Sequence, residues 1–290
     1  MGQIVYLNGA LLPRSQATIS PFDHGFLYGY ALFETMRSYS GHIFRLQRHL
    51  DRLTSAARHI GMPLGTFDLE KACYDTLQAN RLGDARIRLT VSTGEGEAIP
   101  DLPPDAIPTV FVVAAHYNPL PDERYRSGFR AMVSSIRQNS QTVLSRIKSA
   151  NYLHNMIARR EAREAGIDEA LLLNERGFLC EGSTSNVFLV SGGNLITPGV
   201  DSGCLPGITR QTVIELATQM GTGVVQREIK LEELLQADEA FLTNSILELM
   251  PLREVDGKPV GGVTENGERG GVTGRLMIAY RELVARELGA

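Results

Sequence analysis

Arg146-Ile147-Lys148-Ser149-Ala150-Asn151-Tyr152, taken with Glu181-Gly182-Ser183-Thr184-Ser185-Asn186, is the pair of stretches on which the fold turns. Lys148 follows a strand expected over 131–136 and precedes a helix expected over 151–165, closed by Gly166. A lysine at the mouth of an element can be held half-buried. Burial lowers its pKa and makes the amine a usable nucleophile toward an aldehyde. Glu181 ends an apolar hairpin, Ala170-Leu-Leu-Leu173 followed by Gly177-Phe-Leu-Cys180. A carboxylate there needs a cationic partner if it is buried. The same residues also suit a surface lysine and a salt-bridged glutamate, so these two stretches alone leave both readings open.

Outward from that centre, the chain is long for one core. Its 290 residues point to two domains or one large α/β domain. Hydrophobic residues make up 43% and charged ones 21%, ordinary values for a globular chain. A net charge of −4 gives no sign of a nucleic-acid or membrane-surface partner, so arginine-rich patches suit a small anion better than a polyanion. Three cysteines, Cys73, Cys180 and Cys204, are odd in number and widely spaced, as reduced thiols in a cytosol would be. No metal-ligand spacing is visible. The start of the sequence has no basic segment before an apolar run, and no apolar run approaches membrane-spanning length.

Toward the N-terminus, Ile4 to Leu12 forms two apolar runs around Asn8-Gly9, a hairpin signal because both turn residues need positive φ. The stretch from Ser20 to Arg37 reads as a loop passing into a strand, with Tyr28 and its neighbouring glycines packed tightly near a site. Leu46, Leu50, Leu53, Ala57 and Ile60 recur at helical spacing, beside an Arg45, Arg48, Arg52 stripe. That stripe is either a solvated face or a reach toward a buried phosphate, for which Arg52 is best placed. Residues 67–81 read as a second helix. Arg86 to Ser92 alternates strictly, with Arg86, Arg88 and Thr90 on one face, either exposed or lining an anion pocket. Two prolines and several charges make 118–127 the interdomain linker, separating a smaller domain at 1–117 from a larger one at 128–290. In the latter, Leu205-Pro-Gly207-Ile208-Thr209-Arg210 feeds a helix, and free N–H groups there suit a phosphate. Strands mixed with helices indicate an α/β (α+β) fold. No Gly-x-Gly-x-x-Gly follows a strand and no Walker-type loop is present.

In this order, seven segments resemble the class IV (fold type IV) pyridoxal-phosphate aminotransferases. They are Asp23 to Gly29, Phe33-Glu-Thr-Met-Arg37, His49-Leu-Asp-Arg52-Leu, Lys148-Ser-Ala-Asn-Tyr152, Glu181 to Asn186, Leu205 to Arg210, and Ala237 to Ser245. That family includes branched-chain and D-amino acid aminotransferases, (R)-amine transaminases and aminodeoxychorismate lyases. The resemblance implies a small α/β domain, a larger domain with a barrel-like sheet, and pyridoxal 5′-phosphate between them. It also implies a cytoplasmic homodimer. Lys148 would form the internal aldimine and shuttle the proton, and Glu181 would hold the pyridinium nitrogen. Arg52, the backbone of Gly207, Ile208 and Thr209, and the Ser245 hydroxyl would cradle the phosphate, Arg52 by bidentate bonds. Leu205 would press on the ring, Tyr152 would lie near its phenolic oxygen, and Asn186 belongs to the same cofactor set. Tyr28, Phe33, Arg37, Arg88 and the backbone at Ile246 would meet the substrate. The implied partners are an amino donor and a 2-oxo acid such as 2-oxoglutarate. Leu205 to Arg210 is similar to branched-chain enzymes. Thr35, Leu89 and the spacing from Lys148 to Tyr152 lean toward the lyases. Transamination is the expected activity, with release of pyruvate and 4-aminobenzoate by a lyase as the alternative.

Overall fold

The computed structural model describes residues 2–97, 101, 106–261 and 271–288. Its chain separates into two compact units, 1–118 with 147–151, and 119–146 with 152–290.

The first unit is a six-stranded sheet with its two longer helices on one face. It contains β1 (Ile4–Leu7), β2 (Ala10–Pro13), α1 (His24–Tyr28), β3 (Ala31–Tyr39), β4 (His42–Ile43), α2 (Leu46–His59), α3 (Leu69–Ala79), β5 (Ala85–Ser92) and β6 (Thr109–His116). The spatial order is β2-β1-β6-β5-β3-β4, antiparallel throughout. Asn8 and Gly9 turn the first hairpin with φ of 47° and 94°, as the Asn-Gly signal requires. Alternation along β3 and β5 sorts side chains by face. Leu32, Met36, Ile87, Leu89 and Val91 pack with Leu50, Leu53, Ala57, Cys73 and Leu77 of the helices into one core. Phe33, Thr35 and Arg37 take the other face of β3, opposite Thr90, Arg88 and Arg86 of β5.

Where a loop was expected after Ser20, the short helix α1 forms. Asp23 caps its start by accepting from Gly25 N at 2.7 Å, and Gly29 ends it at φ 68°. These glycines lower intrinsic helix propensity and hide the element from a periodicity count. At Gly25 a Cβ would meet Ser92 Cβ at 2.6 Å, so the tight packing expected there is real.

The second unit holds α4 (Asp122–Ser127), β7 (Phe129–Gln138), α5 (Leu153–Glu164), β8 (Glu169–Asn174), β9 (Leu179–Gly182), β10 (Asn186–Ser191), β11 (Asn194–Pro198), α6 (Ile208–Gln219), β12 (Val224–Arg227), α7 (Leu231–Leu235), β13 (Glu239–Asn244), β14 (Glu248–Val255), β15 (Lys258–Pro259) and α8 (Val272–Leu288). Helix α4 falls within the stretch read as linker, starting after Pro121, whose fixed φ suits a helix entry. The sheet runs β12-β11-β10-β13-β14-β7-β8-β9, with β15 on β14. Its pairings β14–β7, β7–β8 and β11–β12 are parallel and the others antiparallel. Terminal β9 also packs on β10 and β11, so the sheet curls back on itself like part of a barrel. Phe188 and Phe241, directly paired on β10 and β13, stack at 5.0 Å in the core. No helix among the described residues is long and apolar enough to cross a membrane.

Candidate active site

Lys148 reaches its position as part of a short added strand. Phe33 N donates to Lys148 O at 2.9 Å and Ala150 N to Ala31 O at 2.8 Å, an edge pairing along the start of β3. Asn151 Nδ2 donates to Gly29 O at 3.0 Å, and a Cβ on Gly29 would meet Asn151 Oδ1 at 2.8 Å. The lysine amine then lies 4.5 Å from the centroid of the buried Phe33 ring, and the Arg88 guanidinium lies 3.8 Å from it. The Arg88 guanidinium and the Lys148 side chain thus share one aromatic ring, which sets a fixed positive charge near the amine. Arg37 is buried against Tyr39 and Tyr117, 4.3 and 4.6 Å from their centroids. Tyr28 is 41% exposed on α1, with its ring edge-on to His24.

On the helix side of β3, Glu34 is fully buried and anchors a three-residue network. Arg52 meets it with two parallel bonds, Nε to Oε1 at 2.8 Å and Nη2 to Oε2 at 2.6 Å. His49 Nδ1 donates to Oε2 at 2.7 Å. Burial pushes the Glu34 carboxyl up, but Arg52 and then His49 outweigh it and hold the pKa at about 2. Burial pushes His49 down against the pull of Glu34, so the imidazole is neutral near pH 7. The bidentate edge of Arg52, expected to face a phosphate, thus engages Glu34, and the Nη1 side points away from that carboxylate.

In the second unit, Asn186 and Leu205 meet at Glu181, with Gly207 packed on Asn186. This buried carboxylate accepts from Leu205 N at 2.9 Å and Asn186 Nδ2 at 3.5 Å. Asn186 Nδ2 also donates to Leu205 O at 2.8 Å, tying strand and loop together. A Cβ on Gly207 would overlap Asn186 Oδ1 and lie 3.2 Å from its Cγ, so only glycine fits the bend before α6. As N-cap, Gly207 brings no side-chain acceptor to the first turn, where Ile208 and Thr209 present their N–H groups. Tyr152 OH donates to Ser183 O at 2.9 Å. Ser245 is half-buried after β13. Ile246 N is held by Asn244 Oδ1 at 2.9 Å in a local turn, so that N–H is engaged within its own loop.

Sequence reasoning missed three supporting residues. Glu34 and His49 hold Arg52, and Glu169 organises the loop beyond Glu181. Its carboxylate accepts from Ser183, Thr184 and Ser185 hydroxyls, the last two at 3.0 Å. The usable signal for the first pair was an acidic residue within the apolar run of β3, which demands a partner, with His49 and Arg52 three residues apart on one helix face.

A family model described as amino-transferase class IV matches residues 31–255. The chain belongs to the class IV aminotransferases. It is 35% identical over 283 residues to the aminodeoxychorismate lyase of Bacillus subtilis, covering 96% of this chain and 94% of that protein. It is 34% identical over 293 residues to a branched-chain-amino-acid aminotransferase of Pseudomonas aeruginosa, covering 97% and 93%. Among solved structures, the branched-chain amino acid aminotransferase of Escherichia coli superimposes with a TM-score of 0.90, at 32% identity over 98% of this chain and 95% of that one. A further branched-chain aminotransferase, solved with pyridoxamine 5′-phosphate, superimposes equally well. Class IV aminotransferases use pyridoxal phosphate chemistry on small amino and oxo acids, and the residues described above suit such a cofactor. Glu181 is a buried carboxylate that could accept from a ring N–H, and Gly207 as N-cap sets no side-chain acceptor against the N–H groups at the start of α6 where a phosphate would bind.

Proposed function

We propose that this class IV aminotransferase moves the amino group of a branched-chain amino acid to a 2-oxo acid such as 2-oxoglutarate, using pyridoxal 5′-phosphate held by Lys148. The observation that supports the reading is the Arg88–Phe33–Lys148 stack, with the guanidinium 3.8 Å and the amine 4.5 Å from one ring centroid, a spacing that suits a carboxylate beside a reactive amine. When bound, the cofactor supplies an electron sink that acidifies the substrate Cα–H. The protein does the rest. Lys148 takes the proton from Cα and returns it at C4′, which requires its amine to be neutral at that moment. Glu181 would accept from the ring N–H and hold that nitrogen protonated. Asn186 fixes Glu181, Leu205 would cover one ring face, and Tyr152 would serve the ring oxygen. Arg52 would hold the phosphate, a role that the backbone N–H groups at Gly207, Ile208 and Thr209 and the Ser245 hydroxyl would also serve. Arg37 and Arg88 bind substrate carboxylate, while Phe33, Tyr28 and the Ile246 loop shape the side-chain space.

A lyase releasing pyruvate from aminodeoxychorismate is the second reading. It is favoured by Thr35, which stands opposite Arg88 on β5 where branched-chain enzymes usually carry glycine, and by the Bacillus subtilis relative. The two activities share Cα-proton abstraction and differ in where the electrons go next. The family's homodimer fits the exposed Phe26, 76% accessible on α1, and a cytoplasmic location fits three free cysteines.

Mixing the yellow enzyme separately with L-leucine, L-glutamate, D-alanine and an (R)-amine tests the proposal. Fast bleaching by L-leucine, reversed by 2-oxoglutarate, is the expected result. Slow bleaching by all four donors with rapid pyruvate release from aminodeoxychorismate overturns it in favour of the lyase.

A further inference from the structure

We propose that Glu34 is a positioning residue for the cofactor phosphate, acting through Arg52, with His49 as its second clamp. The inference rests on the reading of Arg52 as a phosphate ligand. Glu34 is buried in the middle of β3 and takes both donors of the Nε–Nη2 edge of Arg52, at 2.8 and 2.6 Å. Two parallel bonds fix the plane of a guanidinium as well as its place, which a single bond does not. The Nη1 side is thereby aimed in one direction before any anion arrives. His49 Nδ1 at 2.7 Å fixes the carboxylate in turn, so the orientation is passed from the strand to the helix through two side chains with little freedom.

Net stability is a poor explanation for this arrangement. Buried ion pairs often contribute no more than well-packed apolar side chains of the same volume. Here the pair interrupts an apolar face that otherwise carries Leu32 and Met36. Glu34 also partly neutralises Arg52, which by charge alone weakens attraction for a phosphate dianion. Orientation and charge therefore pull the affinity in opposite directions when Glu34 is altered, and the sign of the change decides between them.

The test uses the full-length chain titrated with pyridoxal 5′-phosphate and, separately, with pyridoxal. Both aldehydes react with Lys148, so the ratio of the pyridoxal dissociation constant to that of pyridoxal 5′-phosphate isolates the phosphate contribution. The variants are E34Q, R52Q and the double variant E34Q/R52Q. R52Q keeps one amide donor for Glu34 and removes the guanidinium charge. E34Q is expected to lower the ratio about tenfold while pyridoxal binding holds within about twofold. In the double variant the ratio is expected to fall no further than in R52Q alone. An E34Q ratio that is unchanged or raised overturns the proposal, as does strict additivity in the double variant. If R52Q leaves the ratio unchanged, Arg52 is not the phosphate ligand, and the proposal falls with that reading rather than on its own. Loss of pyridoxal binding in E34Q signals a folding defect. E34D then decides, because it keeps the buried charge and shifts the carboxylate by one methylene. A roughly threefold lower ratio supports positioning, and the wild-type ratio refutes it.

Discussion

Gly207→Ala is expected to destabilise the second unit through one neighbour, Asn186. The added methyl would overlap Asn186 Oδ1 and sit 3.2 Å from Asn186 Cγ and 3.3 Å from Arg210 Cβ. Asn186 is 5% exposed and its Nδ2 bonds Leu205 O, so the amide cannot swing aside without breaking that bond. Forcing a side chain off its place in a packed interior costs about 1–3 kcal/mol. The broken hydrogen bond adds about 1 kcal/mol. Backbone strain adds nothing, because φ and ψ at Gly207 are −67° and 142°, which alanine adopts freely. Alanine is a poorer N-cap than glycine by about 0.5–1 kcal/mol. The whole change should therefore approach roughly 3 kcal/mol, of which only the capping part survives once Asn186 is truncated. Equilibrium urea unfolding of wild type, Gly207→Ala, Asn186→Ala and the double variant measures this. The coupling should be about 2 kcal/mol. Equal costs of Gly207→Ala with and without Asn186 would show that the bend, not the amide, excludes a side chain.

Lys148→Ala should abolish the yellow colour of the bound cofactor, and an unchanged visible spectrum sinks the assignment of the reactive amine. Arg88→Ala should raise KM for a dicarboxylate more than for a monocarboxylate; equal effects on both would remove its guanidinium, 3.8 Å from the Phe33 centroid, from side-chain recognition. Acid stability should depend on Glu34. Its carboxyl is held at about 2 instead of 4.5, so its contribution is complete above pH 4.5 and is lost as pH falls toward 2. At about 1.4 kcal/mol per pH unit, protonating Glu34 in the fold costs about 3 kcal/mol more than in the unfolded chain, and Glu34→Gln should flatten the acid arm of the stability curve by that amount, whatever the pair's net contribution relative to apolar side chains. An acid arm of undiminished slope in that variant would assign the loss to other carboxylates.

Elements with a strong local period were legible in the sequence. The Asn8-Gly9 hairpin, the alternation of Arg86 to Ser92 and the apolar stripe of α2 each follow from neighbours a few residues apart. Strand β14 was not, because Glu248 at φ 61°, Pro251 and Arg253 break the alternation while the tertiary pairing with β7 and β13 restores the strand. Edge strand β12, mostly exposed, lacks an apolar face to announce it. The candidate site divides the same way. Lys148 and Glu181 stand in short ordered motifs, whereas the partners of Glu34 lie 15 and 18 residues along the chain and become visible only when α2 packs on β3. Likewise, nothing local says that Asn186 and Leu205, 19 residues apart, share a hydrogen bond.

Residues 147–151 complete the first unit, although α4 and β7 of the second precede them in the chain. They cover the start of β3, where β4 does not reach, since β4 pairs only with Ser38 and Tyr39. The unit is therefore not a contiguous stretch of gene. A fragment ended at residue 118 would leave the backbone of Ala31 and Phe33 without the partners it has here, an open edge that invites pairing between copies. Split-protein complementation at that junction would depend on the second piece lending its residues 147–151 to the first, because the piece that needs them and the piece that encodes them would be different polypeptides.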